Sequence, residues 1–354
     1  MLYNQFMIID SDKLKSFIEG QGWSAYGIVS IQEVKQVLGK HERIFEEWLS
    51  NGFQADMGYL EAMKKDRYHP ENKLPDVQSV LVLQAWYGSP DRGSVARYAR
   101  GRDYHKILRK KLVALSEWLE GKNSEIQTYL SADSGPTVDR VLAEVGGLGF
   151  FGKNTNLIDP SKGSYFFIAS LLVNVQLLPT EKRRMPTCGD CQNCMRACPT
   201  GAIVAPHTID ARRCIAYLTI ENKEGIPPEF RSAIGNRIFG CDNCQEVCPF
   251  NEERAGQQSI RIDELKPENG VGDSLDVREI LSIGTDEEFE KRFAGTPLMR
   301  AKRRGLIRNA CIVAGNTMNL SIIPLLKEVI SREQDEMLQE HANWAITEIE
   351  KRAK

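Results

Sequence analysis

The sequence predicts a mixed α/β chain, α+β in class, that holds a compact metal-binding unit and ends in helices. Three observations carry this expectation. Strand-like and helix-like periodicities alternate up to about residue 178, eight of the nine cysteines crowd into residues 188–248, and the remainder is mostly of helical spacing. The boundaries read as 1–178, 179–255 and 256–354.

Taken in order, Ser11 is placed to cap a first helix whose Leu14, Phe17 and Ile18 share one face, with Gly20 and Gly22 ending it. SVLVLQAWY (79–87) is a buried strand pattern, rich in β-branched and aromatic residues. Between residues 103 and 121, Leu108, Leu112, Leu115 and Leu119 recur at steps of 4, 3 and 4, one face of a helix. IQTYLSAD (126–133) reads as a strand, TVDRVLAEVGG (137–147) as a helix and YFFIASLLVN (165–174) as another strand. Leu178-Pro179 and the basic stretch 180–187 mark the start of the cysteine unit, and a polar stretch after Asn251 closes it. Within the helical tail, RNACI (308–312) and EHANW (340–344) look related, as in an αα-hairpin repeat.

At 42% hydrophobic the chain is too apolar for disorder, and no run of some 18 apolar residues is present for a spanning helix. Lys+Arg 46 against Asp+Glu 48 gives a net charge of −2, so any nucleic-acid partner must be met by local charge. The opening MLYNQFMIIDSDKLKSF has no basic stretch or Ala-x-Ala site, which argues against secretion. A reduced, cytoplasmic protein whose cysteines hold metal is the expectation.

Cys188-x2-Cys191-x2-Cys194-x3-Cys198-Pro199 is the bacterial ferredoxin run. Three cysteines at steps of three loop around one cubane [4Fe–4S] cluster, and the fourth, before proline, reaches the neighbouring cluster. A second run, Cys241-x2-Cys244-x3-Cys248-Pro249, has Ile238 where its first cysteine should stand, and Cys214 upstream is the substitute. Exchanging the fourth ligands gives Cys188, Cys191, Cys194 and Cys248 for one cluster, and Cys198, Cys214, Cys241 and Cys244 for the other. Zinc sites usually pair CxxC units across a longer gap, so iron–sulfur chemistry is the stronger reading. Cys311, inside a helical pattern, is left as a buried structural thiol.

Several stretches resemble epoxyqueuosine reductases. They are Asp56-Met57-x-Tyr59-Leu60, YARGRDYH (98–105), SADSGPTVDR (131–140), FGKNTNLI (151–158), the two cysteine runs with DARRCIAYLTIE (210–221), and PLMRAKRRGLIRNACIVAGN (297–316). The resemblance runs in order across almost the whole chain. It implies a cobalamin-dependent, two-cluster enzyme that converts epoxyqueuosine to queuosine at the wobble position of tRNA, fed by an unidentified electron donor. It also implies a nitroreductase-like cobalamin domain, a ferredoxin-like cluster domain and a HEAT-like tail.

By itself Asp133, at a strand end before Gly135-Pro136, reads as a helix cap; the family pattern makes it the proton donor. For that role its pKa should be raised by burial against the corrin. Tyr104 and His105 are candidates for orienting substrate or assisting proton transfer. Without an Asp-x-His-x-x-Gly stretch, a base-off corrin is expected, lined by Met57, Lys153, Asn154, Leu157 and Ile168, with Arg97 or Arg140 toward its amides or phosphate. A reductive dehalogenase acting on a small molecule, or a plain electron carrier, are the competing readings.

Two basic runs are candidate RNA contacts. Residues 92–111 hold eight cations against Asp103 alone, and residues 300–308 hold five, including Arg303 and Arg304, with no acid. Tyr98, Tyr104 and Tyr217 are candidate stacking surfaces for an unpaired base. The chain is expected to be monomeric and free of membrane contact.

Overall fold

Strand β2 (Ser79–Trp86) is buried along its whole length, which its continuous apolar sequence requires. In the computed structural model, which describes residues 9–252, 259–317 and 319–352, it is a central strand of a four-stranded sheet. The others are β1 (Ala25–Ser30), β3 (Thr128–Ser131) and β4 (Phe166–Val173). Their order is β1-β2-β4-β3, and every neighbouring pair is antiparallel. Alternating strand and helix signals suit a parallel sheet; here both faces are covered as in a parallel sheet, but the long connections return each strand in the opposite sense.

Side chains of β2 alternate between two cores, as the period of two demands. Leu81, Leu83 and Ala85 face helix α1 (Ser11–Gly20) and helix α3 (Tyr104–Glu120). Val80, Val82 and Trp86 face helix α2 (Ile31–Ser50) and the short helix α4 (Asp139–Val145). Leu108, Leu112, Leu115 and Leu119 of α3 are each 0% exposed, and each contributes ~1.5–3 kcal/mol of apolar burial. Gly27 of β1 lies against the α4 C-terminus, where an added Cβ would meet the Gly146 carbonyl at 2.2 Å.

Two local expectations change. Asp10, not Ser11, caps α1, accepting from the backbone N–H groups of Asp12 (3.1 Å) and Lys13 (3.2 Å). The helix expected at 137–147 is Asp139–Val145, with Val138 at its N-cap and no side-chain cap. Asp133 is therefore not a helix cap.

In the cysteine unit, two short helices, Asn193–Ala197 and Asn243–Glu246, pack on each other, and each carries the last cysteine before a Cys-Pro, Cys194 in one and Cys244 in the other. Proline disfavours helix at the residue before it, so both helices stop short of Cys198 and Cys248. In the tail, helix α5 (Lys302–Thr317) packs on helix α6 (Glu336–Arg352), where a Cβ on Gly315 would meet Trp344 at 2.7 Å. The related RNACI and EHANW segments lie on these two helices. The units interlock: Ile262 and Leu265, grouped by sequence with the tail, enter the core beneath α1 and α3, while Val95 and Ala99 enter the helical core.

Candidate functional site

The turn after β3 is built around one aspartate. Asp133 has φ 61°, a left-handed conformation unfavourable for a residue with a side chain. The turn is held beneath it by hydroxyls: Ser131 Oγ and Thr137 Oγ1 are 2.6 Å apart, and Thr137 donates to Asp139 Oδ1 at 2.6 Å. Gly135 is required because a Cβ there would fall 2.2 Å from Ser131 Oγ.

The first turn of α3 meets Asp133. Tyr104 donates its hydroxyl to Asp133 Oδ2 (2.6 Å), and His105 Nε2 lies 3.1 Å from the same oxygen. His105 Nδ1 lies 2.9 Å from Asp103 Oδ1, so the ring is held between two carboxylates. Tyr104 is buried with its ring stacked on Phe167, centroids 4.1 Å apart. Burial opposes charge on His105, but hydrogen bonds and charge from Asp103 and Asp133 push its pKa up to about 9.

The surrounding protein also opposes ionisation of Asp133. Hydrogen bonds from His105 and Tyr104, with the charges of His105 and Arg140, outweigh it and hold the carboxyl below the usual carboxylate range. The side chain is still 60% exposed, because it sits in an open cleft. This reverses the expected rise: the mobile proton of the group resides on His105. Nearby Asp139 behaves oppositely. Burial, with the charge of Asp133 adding to it, pushes it up to about 7 against the Thr137 hydroxyl bond.

Asp133 and Tyr104 lie on the wall of a cavity of about 1180 Å³. That exceeds the usual small-molecule pocket of about 300–1,000 Å³. Phe45, Trp48, Phe151, Leu157 and Ile168 supply flat apolar wall, and Lys40, Arg67, Arg140 and Lys153 supply cations. Arg140 donates to the Thr155 carbonyl (2.5 Å), whereas the buried Arg67 Nε has no partner. A broad apolar cleft edged by cations, with one donor left unmatched, fits a large, flat, amide-rimmed cofactor carrying a phosphate.

Cys188 and Gly189 also line the cavity. Lys153 ties them down: its backbone N–H points at Cys188 Sγ (3.4 Å), and its Nζ donates to the carbonyls of Gly189 (2.6 Å) and Cys191 (3.0 Å). The thiols gather in two groups. Burial raises Cys248, and the charges of Cys188, Cys194 and Cys191 add to it. Burial likewise raises Cys244, joined by Cys214 and Cys241, while Cys214 in turn senses Cys198. Cys311 is buried in the helical core, apart from both groups.

Of the residues singled out by sequence, Asp133, Tyr104, Arg140, Lys153, Leu157 and Ile168 share the cavity, with His105 bonded to Asp133. Met57, Arg97 and Asn154 do not line it. Arg97 is buried elsewhere, on Asp242 (3.1 Å) and Glu246 (2.8 Å). Asn154 donates to the Cys244 carbonyl (3.1 Å), and Leu60, not Met57, reaches the wall. Arg303 is bidentate to Glu333 (both 2.8 Å), and Arg304 pairs with Asp335, so both face internal acids. Tyr104 is too buried to stack a base from outside, Tyr98 is partly buried against the helical core, and Tyr217 is bonded to Asp56. Sequence reasoning missed Arg67, Asp103 and Asp139, and the Phe45 and Trp48 face of α2. The aromatic spacing of that helix was the available signal.

A cavity of cofactor size that ends at a cysteine of a double-cluster run defines an iron–sulfur oxidoreductase. A family model described as a 4Fe-4S double cluster binding domain matches residues 187–251, and one described as Epoxyqueuosine reductase QueG, DUF1730 matches residues 67–134. The epoxyqueuosine reductase of Pseudomonas aeruginosa is 36% identical over 349 residues, covering 95% of this chain and 93% of that one. That of Xanthomonas campestris is 34% identical, covering 95% of each. The chain belongs to the epoxyqueuosine reductase family.

Solved relatives agree. An epoxyqueuosine reductase with an epoxyqueuosine-modified tRNA-Tyr stem loop superposes with a TM-score of 0.81 at 29% identity, covering 96% of this chain and 90% of that one. A Bacillus subtilis structure, described as having its catalytic aspartate loop swung out of the active site, gives 0.78 at 30% identity with the same coverage. No helix among the described residues is long and apolar enough to cross a membrane.

Proposed function

We propose that the chain reduces the epoxide of epoxyqueuosine at the tRNA wobble position to the alkene of queuosine. The observation that carries this is the Asp103–His105–Asp133–Tyr104 network on the wall of a large cavity that Cys188 also lines. The tRNA-Tyr stem loop held by a solved relative supports RNA as the substrate.

Removing the epoxide oxygen consumes two electrons and two protons and releases water. Phe151, Leu157 and Ile168 would hold cobalamin, with Arg67 and Arg140 toward its polar rim, and the bound corrinoid would supply reduced cobalt, a nucleophile strong enough to open a strained ring. The chain's own residues manage electrons in and protons out. Cys188, Cys191, Cys194 and Cys248 hold the cluster nearer the cavity. Cys198, Cys214, Cys241 and Cys244, none of which lines the cavity, would hold the outer one. Lys153 fixes the Cys188 loop to the cavity wall, keeping the electron path short.

At the other end, Asp133 faces the position of the oxygen leaving the ring. Its low pKa makes it a poor proton store but a good conduit: His105 holds the proton, Asp103 fixes the ring, and Asp133 passes the proton as the alkoxide forms. Tyr104, bonded to the same carboxylate oxygen, holds the side chain in place.

The test is direct. Protein purified without oxygen should show broad iron–sulfur absorption, gain corrinoid bands with added cobalamin, and convert epoxyqueuosine in an anticodon stem-loop to queuosine by nucleoside mass analysis. Reduced, cobalamin-loaded protein that leaves the epoxide intact would refute the proposal.

A further inference from the structure

The basic side chains of the two arginine- and lysine-rich runs sort into two groups. Those at 300–308 are mostly matched within the fold: Arg300 is bidentate to Glu221 (2.9 and 2.7 Å), Arg303 binds Glu333 and Asp286, and Arg304 binds Asp335. Arg308 is 1% exposed and donates to the carbonyls of Leu218, Asn222 and Glu224. Arg97 and Arg100 of the earlier run are likewise buried on carboxylates.

Arg102, Lys106, Arg109 and Lys110 differ. All four are exposed, and none has a carboxylate within 4.0 Å among the described residues. Lys106, Arg109 and Lys110 stand at i, i+3 and i+4 on α3, so they share one face. Arg102 stands two residues before the helix begins. The nearest acid in sequence, Asp103, is engaged by His105. Lys106 directly follows His105, whose Nε2 touches Asp133. The uncompensated charge therefore borders the reacting position.

We infer that Arg102, Lys106, Arg109 and Lys110 form the face on which the phosphodiester backbone of the substrate RNA docks, an inference that rests on the reductase reading above. Four cations without an acid partner among the described residues attract phosphates without first breaking an ion pair, whereas the 300–308 run would have to give up Glu221, Glu333 or Asp335. An RNA loop whose modified base enters the cavity at Asp133 must carry its flanking phosphates past the cleft rim, and α3 presents charge there. The acids around the tail arginines make that surface the poorer choice, although its sequence is the more basic.

The test compares the intact, cluster-loaded protein with the K106E/R109E/K110E variant and the milder K106Q/R109Q/K110Q variant. The probe is an anticodon stem-loop carrying epoxyqueuosine, and its binding is followed by fluorescence anisotropy from 50 to 200 mM KCl. Each phosphate contact to a single strand adds about 0.7 to the slope of log affinity against log salt. Losing three should flatten the slope by about 2, so the wild type should lose roughly 20-fold more affinity than the Gln variant over that range. KM for the stem-loop should rise at least tenfold while kcat at saturation stays unchanged.

Wild-type affinity and slope in both variants, with the wild-type enzyme reducing the stem-loop, would overturn the docking face and leave the reductase reading standing. Wild-type protein that binds no stem-loop and reduces none would overturn both. A loss of kcat at unchanged KM would also overturn the docking face, since it would place these residues in the chemistry.

Discussion

Asp133 and His105 divide one task between two side chains. A carboxyl held below its ordinary pKa cannot store a proton at neutral pH, but it accepts one from a neighbour and releases it at once to a basic alkoxide. Asp133→Asn should keep both clusters and cobalamin absorption while lowering single-turnover reduction by ~10²–10⁴, the usual range for a general acid. Unchanged turnover would remove Asp133 from the proton path. Asp139 gives a second measurement at this scale. Its pKa of about 7 exceeds the ordinary 3.8, so the native state binds the proton more tightly than the unfolded chain does. Stability is then lost as pH rises from about 4 through 7, at most roughly 1.4 kcal/mol per pH unit. His105 shows the same sign at higher pH: its contribution is complete below its ordinary 6.5 and is lost as pH passes about 9. Asp139→Asn removes only the first effect. Thermal unfolding of wild type and variant should therefore converge near pH 4 and stand widest apart at pH 7 and above, the variant being the more stable. A constant difference across that range would show that Asp139 is ionised throughout.

At the scale of elements, the cysteine unit makes the sharpest prediction. Its two runs lie at the ends of short helices packed on each other, and proline after Cys198 and Cys248 turns each of these thiols away from its own run. Cys214→Ala should therefore lose about half of the iron and keep the cluster of Cys188, Cys191, Cys194 and Cys248; full iron content would refute the exchange of fourth ligands. The sequence was informative wherever local spacing carries the physics. A continuous apolar run marks β2 as buried on both faces, and steps of 4, 3 and 4 mark the buried face of α3. It was silent where distant segments meet. Nothing local to residues 79–86 shows that β1 and β4 flank them in antiparallel order. Nothing local to Arg303 announces Glu333, so a run that reads as an RNA contact is largely neutralised. Asp133 stood out by its strand-end turn, but Asp139 did not, because its pKa depends on burial against the cavity and on the charge of Asp133.

Across the whole molecule, the helical tail clamps the segments that carry Cys214 and Cys241. Asn309 Nδ2 donates to the carbonyls of Thr219 (2.7 Å) and Ile238 (2.9 Å), and Arg308 covers those of Leu218, Asn222 and Glu224. These carbonyls lie in the segments that follow Cys214 and precede Cys241, two ligands assigned to the outer cluster. The tail thus fixes the spacing of thiols to which it contributes none. Its burial is complete: Asn309 is 0% exposed, and Arg308 is driven down to about 10 by burial, with the charge of Arg304 adding to it. Removing the Asn309 amide leaves two buried carbonyls unmatched, each costing ~1–3 kcal/mol. Asn309→Ala should lower the unfolding temperature and release the outer cluster first. On exposure to a chelator, about half of the iron should leave at an accelerated rate and the rest at the wild-type rate. A variant that loses both clusters together, or neither, would show that the tail stabilises the molecule as a whole and does not act through the Cys214 and Cys241 segments.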